Sequence, residues 1–299
     1  MEQNQILEKI QKLKIQKNAV ILGHFYQIPE IQDISDYIGD SLYLAQIAEK
    51  STADIIILAG VYFMAETAKL LNPTKKVLIP DKEAGCSLAD SCPADEFKKF
   101  KAQYPNHIVI TYINSSLELK TLSDIICTSS NAIKIVNSLP KDQPIIFAPD
   151  KNLGGYINRL TGRNMVLWNG SCEIHNQLTA EKVIEMKQQF PKALLIAHPE
   201  CKDIILKMAD FIGSTSALLN FTIKNIAKEF IVATETGIIH QMLKHNPDKI
   251  FHIVPADETC ACNNCPYMKL NTIEKILHCV ENEQPEINIP NHLFDAAKK

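Results

Sequence analysis

Three of the nine cysteines occupy one station in three successive stretches of the chain. Cys86 lies seven residues before Pro93 of Pro-Ala-Asp-Glu-Phe, Cys172 seven before Thr179 of Thr-Ala-Glu-Lys-Val, and Cys265 seven before Thr272 of Thr-Ile-Glu-Lys-Ile. A helix-like run follows each, with a proline 19, 19 and 20 residues on, at Pro105, Pro191 and Pro285. Equivalent residues of a repeat can gather around a shared pseudo-threefold axis. Three thiolates meeting there would form a metal or iron–sulfur site. With Cys86, Cys172 and Cys265 as ligands a four-iron cluster fits, because such clusters usually take four thiolates and three leave one iron as a Lewis acid. That chemistry suits dehydration or carbonyl activation better than electron transfer.

The other cysteines read differently. A buried cysteine commonly serves as a small apolar side chain. Cys127, inside Ile125-Ile126-Cys127, and Cys279, in a helical pattern, read as core, while Cys92 and Cys201 have no counterpart in the other stretches. The run Cys260-Ala261-Cys262-Asn263-Asn264-Cys265 offers a structural zinc site as an alternative. Such a site needs four ligands, and Cys279 or His278 would have to supply the fourth. Cys260 and Cys262 otherwise serve to tune redox state or to pair on oxidation.

Polar residues also recur in step. His24, Tyr112 and His198 directly follow the apolar runs 20–23, 108–111 and 194–197, and Tyr26, Asn114 and Glu200 come two residues later. One histidine alone is ordinarily structural. Six such groups at matched positions point to a site, where histidine and tyrosine act as general acids or bases. Hydroxyl-rich turns open helices at Thr128-Ser129-Ser130-Asn131 and Gly213-Ser214-Thr215-Ser216, and Ser41 follows Gly39-Asp40 in the same manner. These residues are favoured helix caps, and a helix N-terminus also attracts carboxylate or phosphate. Neither G-x-G-x-x-G nor a Walker sequence is present, which argues against a dinucleotide or ATP site.

Positioning these groups takes strands that end beside one another. Further strand-length runs read as 54–60, 123–128 and 209–213, then 77–81, 144–150 and 230–234, with a fourth set, 165–168 and 250–254, clear only in the second and third stretches. Helical patterns lie between them, and continuous apolar runs alternating with helices predict parallel sheets covered on both faces. The expected fold is α/β: three α/β/α sandwich units, 1–106 with an inserted helix in 27–50, 107–191, and 192–299 with the C-terminal cysteine segment. Ligands of parallel sheets gather beyond the carboxyl ends of the strands, which places one central active site on the pseudo-threefold axis.

A hydrophobic content of 46% with 22% charged residues is ordinary for a soluble protein. The net charge of −3 gives no reason to expect nucleic acid or an acidic membrane as partner. No apolar run reaches the roughly 18 residues of a transmembrane helix, and the polar, amphipathic N-terminus lacks a signal-peptide core. The expected compartment is the cytoplasm, where cysteines stay reduced and mark metal sites or catalysis.

Together these motifs resemble the iron–sulfur quinolinate synthase A family over nearly the whole chain. The resemblance is carried by Gly23-His24-Phe25-Tyr26-Gln27, Gly39-Asp40-Ser41, Thr111-Tyr112-Ile113-Asn114, Cys127-Thr128-Ser129-Ser130-Asn131 and Gly170-Ser171-Cys172. It continues through His198-Pro199-Glu200-Cys201, Gly213-Ser214-Thr215 and Cys265-Pro266-Tyr267-Met268. It implies a three-unit α/β/α architecture, a [4Fe-4S] cluster on three cysteines, and condensation of iminoaspartate (iminosuccinate) with dihydroxyacetone phosphate to quinolinate in NAD biosynthesis, a transferase reaction. The matching positions imply substrate handling by His24, Ser41, Tyr112, Asn114, Ser129, His198, Pro199, Glu200, Ser214 and Thr215. Tyr26, His198 and Glu200 would move protons. L-aspartate oxidase or aspartate dehydrogenase would supply the imine. Some members carry C-x-x-C-x-x-C near the C-terminus where this chain has a different spacing, which puts pairing of Cys260 and Cys262 in question. Two other classes stay open: an iron–sulfur hydro-lyase acting on a small hydroxy acid, and a non-enzymatic cluster-based redox sensor or carrier.

Overall fold

The computed structural model describes residues 3–256 and 263–297; Cys260 and Cys262 lie outside them. Three four-stranded parallel sheets alternate with helices, and none closes into a barrel. The first contains β1 (Ala19–His24), β2 (Tyr37–Gly39), β3 (Ile55–Ala59) and β4 (Lys76–Leu78) in the order β2-β1-β3-β4. The second contains β5 (Ile108–Tyr112), β6 (Ile125–Cys127), β7 (Ile145–Ala148) and β8 (Val166–Leu167), and the third β9 (Leu194–Ala197), β10 (Phe211–Ile212), β11 (Glu229–Ala233) and β12 (Ile250–Ile253). Each repeats the order of the first, second strand outermost.

The central strands are uninterrupted apolar runs, as burial on both faces demands. Every residue of β3 and of β7 is buried. Equivalent positions pair in each sheet, with Leu22 opposite Leu58, Ile110 opposite Phe147 and Ile196 opposite Val232. An aspartate fixes each outer strand in the same manner. Asp36, Asp124 and Asp210 accept the backbone N–H of Ile21, Val109 and Leu195 at 2.8, 2.8 and 2.7 Å, and each returns its own N–H to the same residue's carbonyl.

That aspartate corrects one sequence expectation. The stretch 27–50 is no insertion: it holds helix Pro29–Ile34, the outer strand β2 and helix Ser41–Lys50. The run 54–60 is therefore the third strand of its unit and the counterpart of β7 and β11, while 77–81 supplies the fourth. The physical reason is length. A three-residue edge strand whose Tyr37 is exposed carries no apolar run to betray it.

The chain forms two compact units, residues 1–86 with 265–299, and residues 87–264. The sequence reading put 265–299 with the third sheet, but helix Ile273–Asn282 packs on the first. Its Ile273, Ile276, Leu277 and Val280 share one core with Ile6 and Ile10 of helix Gln3–Gln16 and with Ile21, Ile57 and Leu78. The other two cysteines are followed in the same way. Phe97 of helix Ala94–Lys101 packs with Val109 and Ile146 of the second sheet, and Val183 and Met186 of helix Ala180–Gln189 with Leu195 and Ile231 of the third. Thus the helix after each cysteine covers the sheet of the next repeat, and the last returns to the first. No helix among the described residues is long and apolar enough to cross a membrane.

Candidate active site

The residues 87–264 contain a buried polar network at the carboxyl ends of β5, β9 and β11, where parallel sheets gather ligands. Tyr112 is the last residue of β5, His198-Pro199-Glu200 follows β9 directly, and Thr234 follows β11. Glu200 is 3% exposed, His198 3%, His175 2% and Thr234 0%. Charges so enclosed survive only with partners, and these have them. Glu200 Oε2 lies 2.8 Å from His175 Nδ1 and 3.8 Å from His198 Nδ1, and Tyr112 bonds to the same carboxylate. The two imidazoles stack at 4.9 Å. Asn152 Nδ2 donates to the Glu200 carbonyl at 3.0 Å.

Burial alone would raise the Glu200 carboxyl. The neighbouring His175 and His198, with hydrogen bonds from His175 and Tyr112, outweigh it and bring the group down to about 2. Asp150 goes the other way, held well above the usual carboxylate range by its burial and then by the Glu200 charge. The two carboxylates are thus shifted in opposite directions.

Cys172 stands at the edge of this network. It precedes helix Glu173–Gln177, so His175, three residues on, turns back to the same side with Nδ1 at 3.2 Å from Sγ. Asp150 Oδ2 accepts the Cys172 N–H at 3.3 Å. Gly170 allows this approach, since a Cβ there would sit 2.6 Å from the Pro149 carbonyl oxygen. Sγ of Cys172, a ring nitrogen of His175 and a carboxylate oxygen of Glu200 lie within 4.8 Å of one another, close enough for a metal ion. Ser87 Oγ, next in sequence to Cys86, accepts the Glu173 N–H at 3.4 Å.

Residues 1–86 with 265–299 hold Cys86 and Cys265. Gly85 packs against Tyr267, whose ring would lie 3.4 Å from a Cβ at position 85. The segment after Cys265 also grips the turn that carries Tyr26. Lys269 Nζ donates to the Tyr26 carbonyl at 2.6 Å, and Gln27 Nε2 to Met268 Sδ at 3.3 Å. His24 Nδ1 accepts the Tyr26 N–H at 3.1 Å, which puts the proton of the neutral ring on Nε2.

The cysteines divide by environment. Cys86, Cys172 and Cys265 are half-buried, whereas Cys92, Cys127, Cys201 and Cys279 are buried, and none of the seven is in a disulfide. Burial pushes Cys92 and Cys279 up to about 12, and Cys127 and Cys201 higher still, so all four stay protonated.

Of the other expected site residues, Ser214 and Thr215 are buried at the start of helix Thr215–Lys224, where Ser214 Oγ caps the Ala217 N–H at 3.3 Å. Ser41 opens helix Ser41–Lys50, capped by Asp40, and Ser129 is half-buried after β6. With β2 recognised, Ser41, Ser129 and Thr215 become counterparts in the three sheets. Asn114 Oδ1 is buried with no hydrogen-bond partner among the described residues, an unmet acceptor that a ligand can satisfy. Sequence reasoning passed over His175, Asp150, Thr234 and Asn152. The spacing Cys172-x-x-His175 and the doubled Pro-Asp-Lys at 80–82 and 149–151 were the available signals.

A family model described as "Quinolinate synthetase A protein" matches residues 8–299. Proteins named quinolinate synthase are similar along nearly the whole chain. One from Microcystis aeruginosa is 60% identical over 284 residues, covering 95% of this chain and 89% of its own. One from Synechocystis sp. is 59% identical over 290 residues (97% and 91%), and one from Chloroherpeton thalassium 56% over 300 (100% and 93%).

Proposed function

The chain belongs to the quinolinate synthetase A family, and from that premise we propose that it condenses iminoaspartate with dihydroxyacetone phosphate, as a transferase of NAD (pyridine nucleotide) biosynthesis. One molecule of each gives quinolinate, inorganic phosphate and two molecules of water. The observation that carries the reading is the buried carboxylate of Glu200, held ionised by Tyr112 and His175 beside Cys172. Buried groups perturbed by specific charge partners cluster at functional sites.

The donor set suits an iron–sulfur cluster. Three half-buried thiols outside disulfides occupy the repeat-equivalent stations, while the other four described cysteines are buried and protonated. Cys86, Cys172 and Cys265 are the ligands under this reading. A [4Fe-4S] cluster on them supplies Lewis acidity for the loss of water.

The chain's own groups then divide the work. Glu200, as a carboxylate, accepts from Tyr112 and so turns the lone pairs of the phenol oxygen toward substrate. His24 Nε2 and His198 Nε2 are the atoms from which a proton can be handed to substrate, with Tyr26 as a further proton carrier. Asn114 Oδ1 meets a donor on the imine substrate. Ser41, Ser129, Ser214 and Thr215, at helix starts, hold its carboxylates or the phosphate of its partner, and Pro199 fixes the turn between His198 and Glu200. L-aspartate oxidase or aspartate dehydrogenase supplies the imine, and the reduced thiols suit the cytoplasm.

The test is anaerobic reconstitution of the full chain with iron and sulfide, followed by turnover with freshly generated iminoaspartate and dihydroxyacetone phosphate. Quinolinate and phosphate are expected to appear in equal amounts. Dehydration of a small hydroxy acid without phosphate release would replace this reading with the hydro-lyase.

A further inference from the structure

His175 is 2% exposed and enters the reading above only as a partner of Glu200; its contact with Cys172 has no role there. Its ring is held at both nitrogens and on one face. Nε2 is 2.9 Å from Thr234 Oγ1, one face stacks on His198 at 4.9 Å, and Nδ1 meets both Glu200 Oε2 at 2.8 Å and Cys172 Sγ at 3.2 Å. An ionised carboxylate offers no donor and a metal-bound thiolate offers none either. Nδ1 must therefore carry a proton, shared between oxygen and sulfur. Thr234 can serve the opposite nitrogen as donor or acceptor, so this tautomer leaves nothing unsatisfied.

We propose that His175 is a positioning residue whose single Nδ1–H ties the Cys172 sulfur to the Glu200 carboxylate, so that the metal ligand and the proton-handling acid are set by one ring. The proposal rests on the reading of Cys172 as a cluster ligand. A hydrogen bond to a ligating sulfur draws charge from it and raises the reduction potential of the cluster. The same N–H holds Glu200 in the rotamer that Tyr112 needs. The imidazole is here the link between cofactor and acid and not itself a ligand.

Three substitutions in the reconstituted full chain separate the contacts. The amide of His175→Asn reaches the Nδ1 position, that of His175→Gln reaches the Nε2 position, and His175→Phe reaches neither. The measurements are iron and sulfide content, the midpoint potential followed by EPR, and kcat apart from KM. Iron content is expected to match the parent throughout. His175→Gln and His175→Phe should move the midpoint to more negative values and lower kcat by about tenfold or more with little change in KM, while His175→Asn restores both. If His175→Phe fails to fold, the contrast between Asn and Gln still decides. An unchanged midpoint in both His175→Gln and His175→Phe overturns the proposal. So does loss of iron from Asn and Phe variants alike, which would make His175 a ligand. Cys172→Ser is the control: if it keeps a full cluster, the cluster reading has failed, whereas its loss of iron beside an unmoved His175→Gln midpoint sinks the positioning role alone.

Discussion

The turns leaving β1 and β9 share one hydrogen bond and differ in what they present. In His24-Phe25-Tyr26 and in His198-Pro199-Glu200, histidine Nδ1 accepts the N–H two residues on, at 3.1 and 3.4 Å. After β1, Tyr26 stays half-buried with its ring edge-on to His24 at 4.6 Å. After β9, Glu200 is sealed among His175, His198 and Tyr112. The repeat thus supplies a strand end and an oriented imidazole, and the residue two places later decides whether the turn offers a phenol or an enclosed charge. Removing the enclosed charge is expected to cost far more folding stability than removing the phenol.

Glu200→Ala should break that comparison most severely. It leaves His175 and Tyr112 without their acceptor, so unfolding stability is expected to fall by about 3–5 kcal/mol, with quinolinate formation lost. A denaturant midpoint equal to the parent's would show that the network carries no structural load. Tyr26→Phe should lose turnover by roughly a hundredfold while stability shifts by no more than about 0.5 kcal/mol. Equal destabilisation by the two variants would erase the distinction between the turns.

Acid sharpens the contrast further. Glu200 has a folded-state pKa of about 2 against an ordinary 4.5, so its stabilisation is complete above 4.5 and drains away as pH falls toward 2. Asp150, raised above its ordinary 3.8, acts in the opposite sense: it favours the fold while protonated and loses that contribution as pH rises. Denaturant melts of Glu200→Gln should show a shallower decline than the parent between pH 4.5 and 2, since Glu283 is also held low, whereas Tyr26→Phe should keep the full decline. The smallest effect concerns the frame that both sheets share. Thr179 and Thr272 cap the helices on the third and first sheets, accepting from Lys182 and Lys275 N–H at 3.3 and 3.2 Å. Thr179→Ala and Thr272→Ala should each cost about 1 kcal/mol by thermal melt, and a clear inequality would mean the frames are not equivalent.

Strands buried on both faces announce themselves, and β3, β7 and β11 were readable as apolar runs of their full length. The outer strand of the first sheet was not, although its counterparts β6 and β10 lay within the runs 123–128 and 209–213. Tyr37-Ile38-Gly39 is too short for periodicity, and its place is set by Asp36 bonding to Ile21, a contact between positions 15 apart that no local pattern encodes. Missing it shifted the pairing of the first unit by one strand and made 27–50 look inserted. At the site, Tyr112, His198 and Glu200 were visible because strand ends mark them. His175 was hidden because a five-residue helix has no amphipathic signature, and Asp150 because an aspartate beside proline reads as a turn. Their chemistry arises from burial, which depends on elements distant in sequence.

The passing of each post-cysteine helix to the following sheet has a consequence for biosynthesis. The first sheet leaves the ribosome before the other two, yet the helix that closes its core, Ile273–Asn282, is made after both of them. Ile21, Ile57 and Leu78 stay incompletely covered until that helix emerges. Completion of the first sheet's core waits on a segment made after the second and third sheets.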